Sequence, residues 1–129
     1  MIMQGYDFPN AEAITPYLEE AQNGPTSQFC RSLAHKLRCY VIAGYPEALK
    51  EDERGTREDG SAIVGANSAV IYDRQGNYLG GYRKGHLFET DRTWAKPGKE
   101  VIEPYEFDLF LVFTLRRAIQ VLEINHPWE

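Results

Sequence analysis

The spacing of apolar residues predicts two helices near the start of the chain. The first spans residues 10–22, with Asn10 as its N-cap and an Asn-Gly-Pro string at 23–25 as its end. The second is capped by Thr26 or Ser27 and ends near residue 38. It is indicated by apolar residues at a spacing of four, which share one face of a helix: Phe29, Leu33 and Leu37.

A strand and a β-hairpin follow these helices. Residues 39–45 form a short apolar run bounded by Pro46, which predicts a strand buried on both faces. Residues 68–72 and 78–82 are rich in strand-forming residues and flank a glycine-bearing turn at 73–77, which predicts a hairpin. Because a helix that leads into a buried strand is typical of α/β proteins, the predicted fold class is α/β.

Two other stretches lack such a pattern. Residues 50–59 contain eight charged residues and no periodicity, which indicates a solvated loop without chemistry of its own. Near the C-terminus two alternatives stay open. Residues 109–113 alone fit a strand, whereas a wider set fits a helical stripe: Leu111, Leu115, Ala118, Leu122 and Asn125.

Length, composition and charge narrow the class of protein. The chain has 129 residues, 43% hydrophobic and 26% charged, which is typical of one soluble globular domain. Its formal net charge of −5 argues against nucleic acid or an anionic membrane as the main partner. The longest apolar stretch is interrupted by two arginines and is shorter than the roughly 20 residues of a membrane span. Since no secretion signal is recognised either, we expect a cytoplasmic protein.

Lys84 is the residue that we single out for chemistry. It directly follows the second predicted hairpin strand, with Arg83 before it and His86 two residues after it. The ends of strands are where α/β folds place functional groups. A lysine that is desolvated among other cations can donate a proton or stabilise an oxyanion. The alternative is an ordinary solvent-facing lysine.

Other titratable residues give weaker signals. Glu47 follows the predicted buried strand and is a candidate orienting carboxylate, with an exposed loop acid as the alternative. His86 is a candidate base or ligand, although a lone histidine in a loop is more often structural. Cys30 and Cys39 have no zinc-ligand spacing and no neighbours that would lower a thiol pKa, so we expect two free, buried thiols and no metal site.

Six short strings carry a resemblance to a known family. They are Gly-Tyr-Asp-Phe at 5–8, Gly-Pro-Thr-Ser at 24–27, Gly-Tyr-Pro-Glu at 44–47, Asn-Ser-Ala-Val at 67–70, Asp-Arg-Gln-Gly at 73–76 and Tyr-Arg-Lys-Gly-His-Leu at 82–87. In this order they resemble the N-terminal half of a carbon–nitrogen hydrolase domain of the nitrilase superfamily. Within the superfamily the chain looks most like the fungal protein N-terminal asparagine/glutamine amidohydrolases.

This resemblance implies a fold and a chemistry. The implied fold is a partial nitrilase-type αββα sandwich, with one sheet, two helices packed on it and an incomplete C-terminal half. The implied chemistry uses a Glu–Lys–Cys set and no metal or organic cofactor. The cysteine attacks an amide carbon, the glutamate is the general base and the lysine stabilises the tetrahedral intermediate. Lys84 matches the catalytic lysine, and we take Glu47, His86 and Tyr6 as candidate supporting residues.

The other two members of this catalytic set have no counterpart among the 129 residues. In the family the glutamate lies just upstream of the Gly-Tyr string, which here stands at the start of the chain. The nucleophilic cysteine lies a few dozen residues after the lysine, whereas no cysteine follows Cys39. We therefore expect no nucleophile in this chain and no activity from the chain alone.

Two hypotheses about the whole protein follow. In the first, residues 1–98 are the N-terminal part of a carbon–nitrogen hydrolase domain and 99–129 are a divergent tail without family match. Its complete form would hydrolyse an amide, including the side-chain amide of an N-terminal Asn or Gln. In the second, the chain is a non-catalytic interaction module that pairs with a full-length homologue. Both predict self-association or pairing, because half of a sandwich leaves an unpaired sheet edge.

Overall fold

The computed structural model describes residues 5 and 7–99, which belong to one compact unit ending at Lys99. Three predictions concern residues outside this range: the supporting role of Tyr6, the divergent tail beyond Lys99, and the choice between a strand and a helix within residues 109–125. Among the helices described, none is long and apolar enough to cross a membrane. The helices and strands are α1 (Ala11–Ile14), α2 (Pro25–Leu37), β1 (Val41–Ala48), β2 (Gly55–Thr56), β3 (Ala62–Ile63), β4 (Gly65–Tyr72) and β5 (Tyr78–Arg83).

A three-stranded antiparallel sheet in the order β1-β4-β5 forms the centre of this unit. Strand β4 pairs with β1 from Gly65 opposite Ala48 to Tyr72 opposite Val41. The β4–β5 hairpin is the predicted one. Its turn is closed by the Asp73 carboxylate, which accepts the backbone N–H groups of Gln75 and Asn77 at 2.8 Å each. The predicted mixture of helix and sheet is thus confirmed, with antiparallel strands.

Helix α2 packs on one face of this sheet through its smallest side chains. Cys30 and Ala34 are fully buried against sheet residues that include Tyr45 and Tyr72. Small residues on the helix leave room for these two rings, so large and small side chains fit together across the interface. The spacing of apolar residues correctly predicted a helix, but Phe29 and Leu37 on its other side are 44% and 60% exposed.

The first predicted helix is too long. Asn10 is its N-cap as predicted, with Oδ1 accepting from the backbone N–H of Ala13 at 2.9 Å. Helix α1 ends at Ile14 and gives way to a short 3-10 helix that contains Pro16, a residue without an N–H for the helical ladder. From Leu18 the backbone is extended. Glu19 then pairs with the edge of β1 through two backbone hydrogen bonds of 2.8 Å.

The predicted caps of the second helix are also wrong. Helix α2 begins at Pro25, with Gly24 as its N-cap, so Thr26 lies inside the first turn. The buried Glu19 carboxylate accepts both the backbone N–H of Thr26, at 2.8 Å, and its hydroxyl, at 2.9 Å. A carboxylate at this position satisfies N–H groups that have no helical partner and favourably meets the positive end of the helix dipole.

The charged segment is more ordered than predicted. It contains a 3-10 helix over Glu51–Glu53, and β2 pairs with β3 in a small second sheet. Glu53 accepts two hydrogen bonds from the Arg83 guanidinium, at 2.6 and 3.1 Å, which lower the pKa of its carboxyl group to about 2. The segment is therefore tied to the central sheet by an ion pair.

A second apolar cluster anchors the loop that follows β5. Trp94 is completely buried and packs with Phe8, Ile14 and Ala95. The backbone carbonyl of Trp94 accepts from the N–H of Val64 at 3.0 Å, and the N–H of Lys96 donates to Gly65 at 2.8 Å. This loop is therefore joined to the start of β4 both by its side chains and by its backbone.

Gly65, at the start of β4, is closely surrounded by Leu18, the backbone of β1 and Trp94. A Cβ at this position would stand 2.6 Å from Leu18 Cδ2 and 2.8 Å from the Glu47 carbonyl oxygen. We expect Gly65→Ala to lower the free energy of unfolding by about 1–3 kcal/mol, the usual effect of overpacking, as measured by urea denaturation. The matched control is Gly55→Ala, where a Cβ meets nothing within 4 Å. Equal losses in the two variants would contradict this reading of the packing.

Candidate active site

Lys84 lies one residue beyond β5, and its backbone is fixed from both sides. Its N–H donates to the Asn67 carbonyl at 2.7 Å, and its own carbonyl accepts from the N–H of Gly98 at 3.0 Å. Only 7% of the residue is exposed. The solvent-facing alternative considered for this lysine is therefore wrong.

The buried partner of Lys84 is Asp91. The Lys84 ammonium donates to Asp91 Oδ2 at 3.1 Å, and the aspartate is completely buried. The same oxygen accepts the backbone N–H of Phe88 at 3.1 Å, and Oδ1 accepts from the Asn67 side-chain amide at 3.0 Å. A buried ion pair is tolerated only when both charges are paired and further hydrogen bonds satisfy the remaining lone pairs, and Asp91 meets both conditions.

The backbone around Asp91 holds the carboxylate in place. Asp91 begins a 3-10 helix, and its carbonyl accepts the N–H of Ala95 at 2.8 Å. Three residues later, Trp94 fixes the loop in the second apolar cluster. The sequence reasoning missed Asp91. The available signal was a carboxylate seven residues after the lysine in an Asp-x-x-Trp string, in which a tryptophan anchor indicates that the preceding turn is packed.

Glu47 lies on the face of the sheet opposite to Lys84. Tyr45 pairs with Ser68, and Ser68 pairs with Arg83, so these three side chains lie on the face of the sheet that α2 covers. Glu47 lies two residues after Tyr45 on β1 and therefore on the same face. The Glu47 carboxylate accepts from Arg83 at 2.7 and 2.9 Å and from the Ser68 hydroxyl at 2.7 Å. Lys84 and Asn67 belong to the opposite face. The predicted supporting role of Glu47 stays a prediction, and its described partners are Arg83 and Ser68.

The remaining candidates are placed differently. His86 is exposed in the loop after Lys84 and lines an open pocket together with Arg57 and Arg92. Its role as a supporting residue stays a prediction. Tyr6 lies outside the described residues. Within residues 5 and 7–99, no three His, Cys, Asp or Glu side chains are grouped as a metal ion would require.

The two cysteines are free thiols, as expected. Cys30 is completely buried in the cluster beneath α2, on the face of the sheet opposite to Lys84. Burial, together with the nearby Glu19 carboxylate, raises the pKa of its thiol to about 11. Cys39 is only half-buried, so the expectation of a buried thiol is wrong for this residue. The position and the protonated state of Cys30 agree with leaving it out of the candidate site.

The arrangement has a clear chemical capability. Lys84 is an ammonium held at a buried position by a carboxylate that is itself fixed by two further donors, the Asn67 amide and the Phe88 backbone N–H. Such a preorganised cation can stabilise negative charge that develops on a neighbouring oxygen, because it does not have to reorganise during the reaction. The arrangement is therefore suited to stabilising an oxyanion, and the catalytic role of Lys84 stays a prediction.

Known proteins are similar to this chain over about three-quarters of its length. A protein N-terminal amidase of Schizosaccharomyces pombe is 34% identical over 101 residues, which is 77% of this chain and 32% of that protein. A protein N-terminal amidase of Saccharomyces cerevisiae is 33% identical over 92 residues, 71% of this chain and 18% of that protein. The chain thus spans a third or less of the length of these relatives.

A crystal structure of an N-terminal amidase shares the fold, with a TM-score of 0.61 and 28% identity over 78% of this chain and 21% of that one. The nitrilase-type architecture predicted for this part of the sandwich is thereby confirmed. The family model for carbon-nitrogen hydrolases matches residues 2–125, which extends past the predicted boundary at residue 98. That boundary stays a prediction. With a family match over nearly its whole length, the chain belongs to the carbon-nitrogen hydrolase family.

Proposed function

We propose that these residues form the lysine-bearing part of an amidase site that removes ammonia from the side-chain amide of an N-terminal Asn or Gln. The observation that carries the proposal is the buried Lys84–Asp91 pair at 3.1 Å. The two relatives named protein N-terminal amidase support the choice of substrate. So do the crystal structures of the similar N-terminal amidase with Asn-Glu and Gln-Val peptides.

Lys84 has the role of oxyanion stabiliser in this proposal. When a nucleophile attacks the amide carbon, its oxygen gains negative charge, and the ammonium donates a hydrogen bond to that oxygen. Asp91 is a positioning residue, since it pairs with the ammonium and orients it without touching the substrate. A single donor aimed at a developing oxyanion is worth roughly a hundred- to a thousandfold in rate.

The nucleophile is the part that these residues do not provide. The thiol of Cys30 is buried on the wrong face of the sheet, and its pKa near 11 keeps it protonated. Thioester chemistry needs an exposed thiolate close to the lysine. We therefore propose that the 129 residues by themselves do not turn over an amide, and that activity requires a cysteine contributed from outside this sequence.

A chimera tests the lysine assignment. Residues 7–99 replace the matched segment of the Schizosaccharomyces pombe relative, and ammonia release is measured with peptides that begin with Asn or Gln. We expect an active chimera, and a loss of about a hundred- to a thousandfold in kcat/KM for Lys84→Met. The matched control is Lys96→Met, because Lys96 is a partly exposed lysine of the same loop. Retention of activity in Lys84→Met would remove this residue from the mechanism.

In the same chimera, Asp91→Asn tests positioning. The amide keeps the size of the side chain but removes the negative charge beside the buried ammonium, so the ion pair is lost. We expect a lower kcat with a smaller change in KM, because a poorly positioned ammonium stabilises the oxyanion less in the transition state. Asp91→Glu keeps the charge and should recover part of the activity, whereas equal losses in the two variants would indicate a purely structural role for Asp91.

Alkylation of the 129-residue chain tests the exclusion of Cys30. With a pKa of about 11, only about a thousandth of this thiol is ionised at pH 8. We expect iodoacetamide to modify Cys30 at least roughly a hundredfold more slowly in the folded chain than in urea, as followed by peptide mass spectrometry. Equal rates in the two states would show a reactive Cys30 and would reopen its candidacy as nucleophile.

A further inference from the structure

An open pocket of about 520 Å³ lies beside the loop that carries the Lys84–Asp91 pair. Two of its lining residues directly follow the members of the pair along the chain, Gly85 after Lys84 and Arg92 after Asp91. The pocket and the candidate active site are thus built from one anchored loop. The full lining is Arg57, Gly85, His86, Leu87, Arg92 and Pro97.

The lining is cationic and contains no carboxylate. Arg57 is held by its own hydrogen bonds, to the Ala95 carbonyl at 2.6 Å and to the Ser61 hydroxyl at 3.2 Å. Arg92 is exposed and uses its Nε to donate to the Leu87 carbonyl at 3.3 Å. Within the part of the chain that the structure describes, neither guanidinium forms an ion pair with an acidic side chain.

We propose that this pocket binds an acidic side chain of the peptide substrate, close behind its N-terminal Asn or Gln. Arginine is the side chain best suited to carboxylates, because its planar fork of N–H donors matches their two oxygens. The cavity is far larger than a lone carboxylate, and Leu87 and Pro97 give it apolar walls that suit the carbon chain of a Glu residue. The proposal rests on the proposed function, since it takes the bound molecule to be the amidase substrate.

Calorimetry on the 129-residue chain tests this proposal without requiring turnover. The probes are the tripeptide amides Asn-Glu-Ala and Asn-Gln-Ala, in which the Glu side chain is the sole carboxylate difference, and free glutarate. We expect Asn-Glu-Ala to bind about tenfold more tightly, as for one charge-assisted hydrogen-bonding pair. Equal affinities for the two tripeptides, or glutarate binding as tight as that of Asn-Glu-Ala, would overturn the proposal.

Substitutions test whether the preference for Glu over Gln arises in the pocket. Arg92→Gln should abolish the preference for Glu over Gln, and Arg92→Lys should retain part of it. Arg57→Gln is expected to act in the same direction, with circular dichroism as the check on folding because Arg57 also bonds to the backbone. The matched control is Arg74→Gln, whose guanidinium stacks on Tyr40 outside the pocket. A preference that survives Arg92→Gln would overturn the proposal.

A further peptide separates this proposal from the proposed function. Ala-Glu-Ala amide keeps the acidic residue but lacks the side-chain amide at its N-terminus. If it binds as tightly as Asn-Glu-Ala and with the same dependence on Arg92, the carboxylate pocket is supported while amide recognition fails. If Asn-Glu-Ala and Asn-Gln-Ala bind equally and Ala-Glu-Ala does not bind, amide recognition stands and the carboxylate pocket is overturned.

Discussion

Burying a lysine ammonium removes it from water, and the loop after β5 is organised around the need to compensate for that loss. A single buried charge carries a desolvation penalty of several kcal/mol, which an ion pair offsets only with good geometry and additional hydrogen bonds. Asp91 meets this requirement because it contacts Lys84, Asn67 and the Phe88 backbone at 3.0–3.1 Å. The 3-10 helix and the Trp94 anchor therefore hold in place the carboxylate that the buried ammonium requires.

Two consecutive residues at the end of β5 carry charges on opposite faces of one sheet. Arg83 points to the α2 face, where Glu47 and Glu53 bind it, and these carboxylates raise the pKa of its guanidinium. Lys84 belongs to the other face with Asp91. Because neighbouring side chains of a strand alternate, the sheet itself separates the two ion pairs. The Arg83 network stabilises the strand end and ties the charged segment to it, while Lys84 pairs with Asp91 on the opposite face.

Local signals in the sequence predicted the elements that depend on local chemistry. The β4–β5 hairpin follows from the Asp73 turn, and the cap of α1 follows from Asn10, because both rest on contacts within four residues. The predictions that were wrong concern helix ends whose surroundings are set by residues farther away along the chain. Glu19 replaces the predicted cap of α2, and its pairing with β1 fixes the extended backbone that follows the early end of the first helix. The site shows the same division: Lys84 was found from its strand end and its family string, whereas Asp91 is defined by burial against Asn67, 24 residues away.

The acidic net charge of the chain does not oppose an anion at the Arg57–Arg92 pocket. At physiological ionic strength the Debye length is about 8 Å, so exposed charges farther away than this are largely screened and the nearest groups decide the local potential. Near the pocket those groups are two arginines, one of them held by the Ala95 carbonyl, and the Asp59 carboxylate, which is bridged to Arg57 by the Ser61 hydroxyl. Since Ala95 also packs with Trp94, the same anchor that fixes Asp91 also fixes Arg57. One buried tryptophan thereby fixes the loop that carries both the Asp91 partner of Lys84 and the carbonyl group that holds Arg57, so the proposed oxyanion stabiliser and the proposed carboxylate-binding arginine have fixed positions.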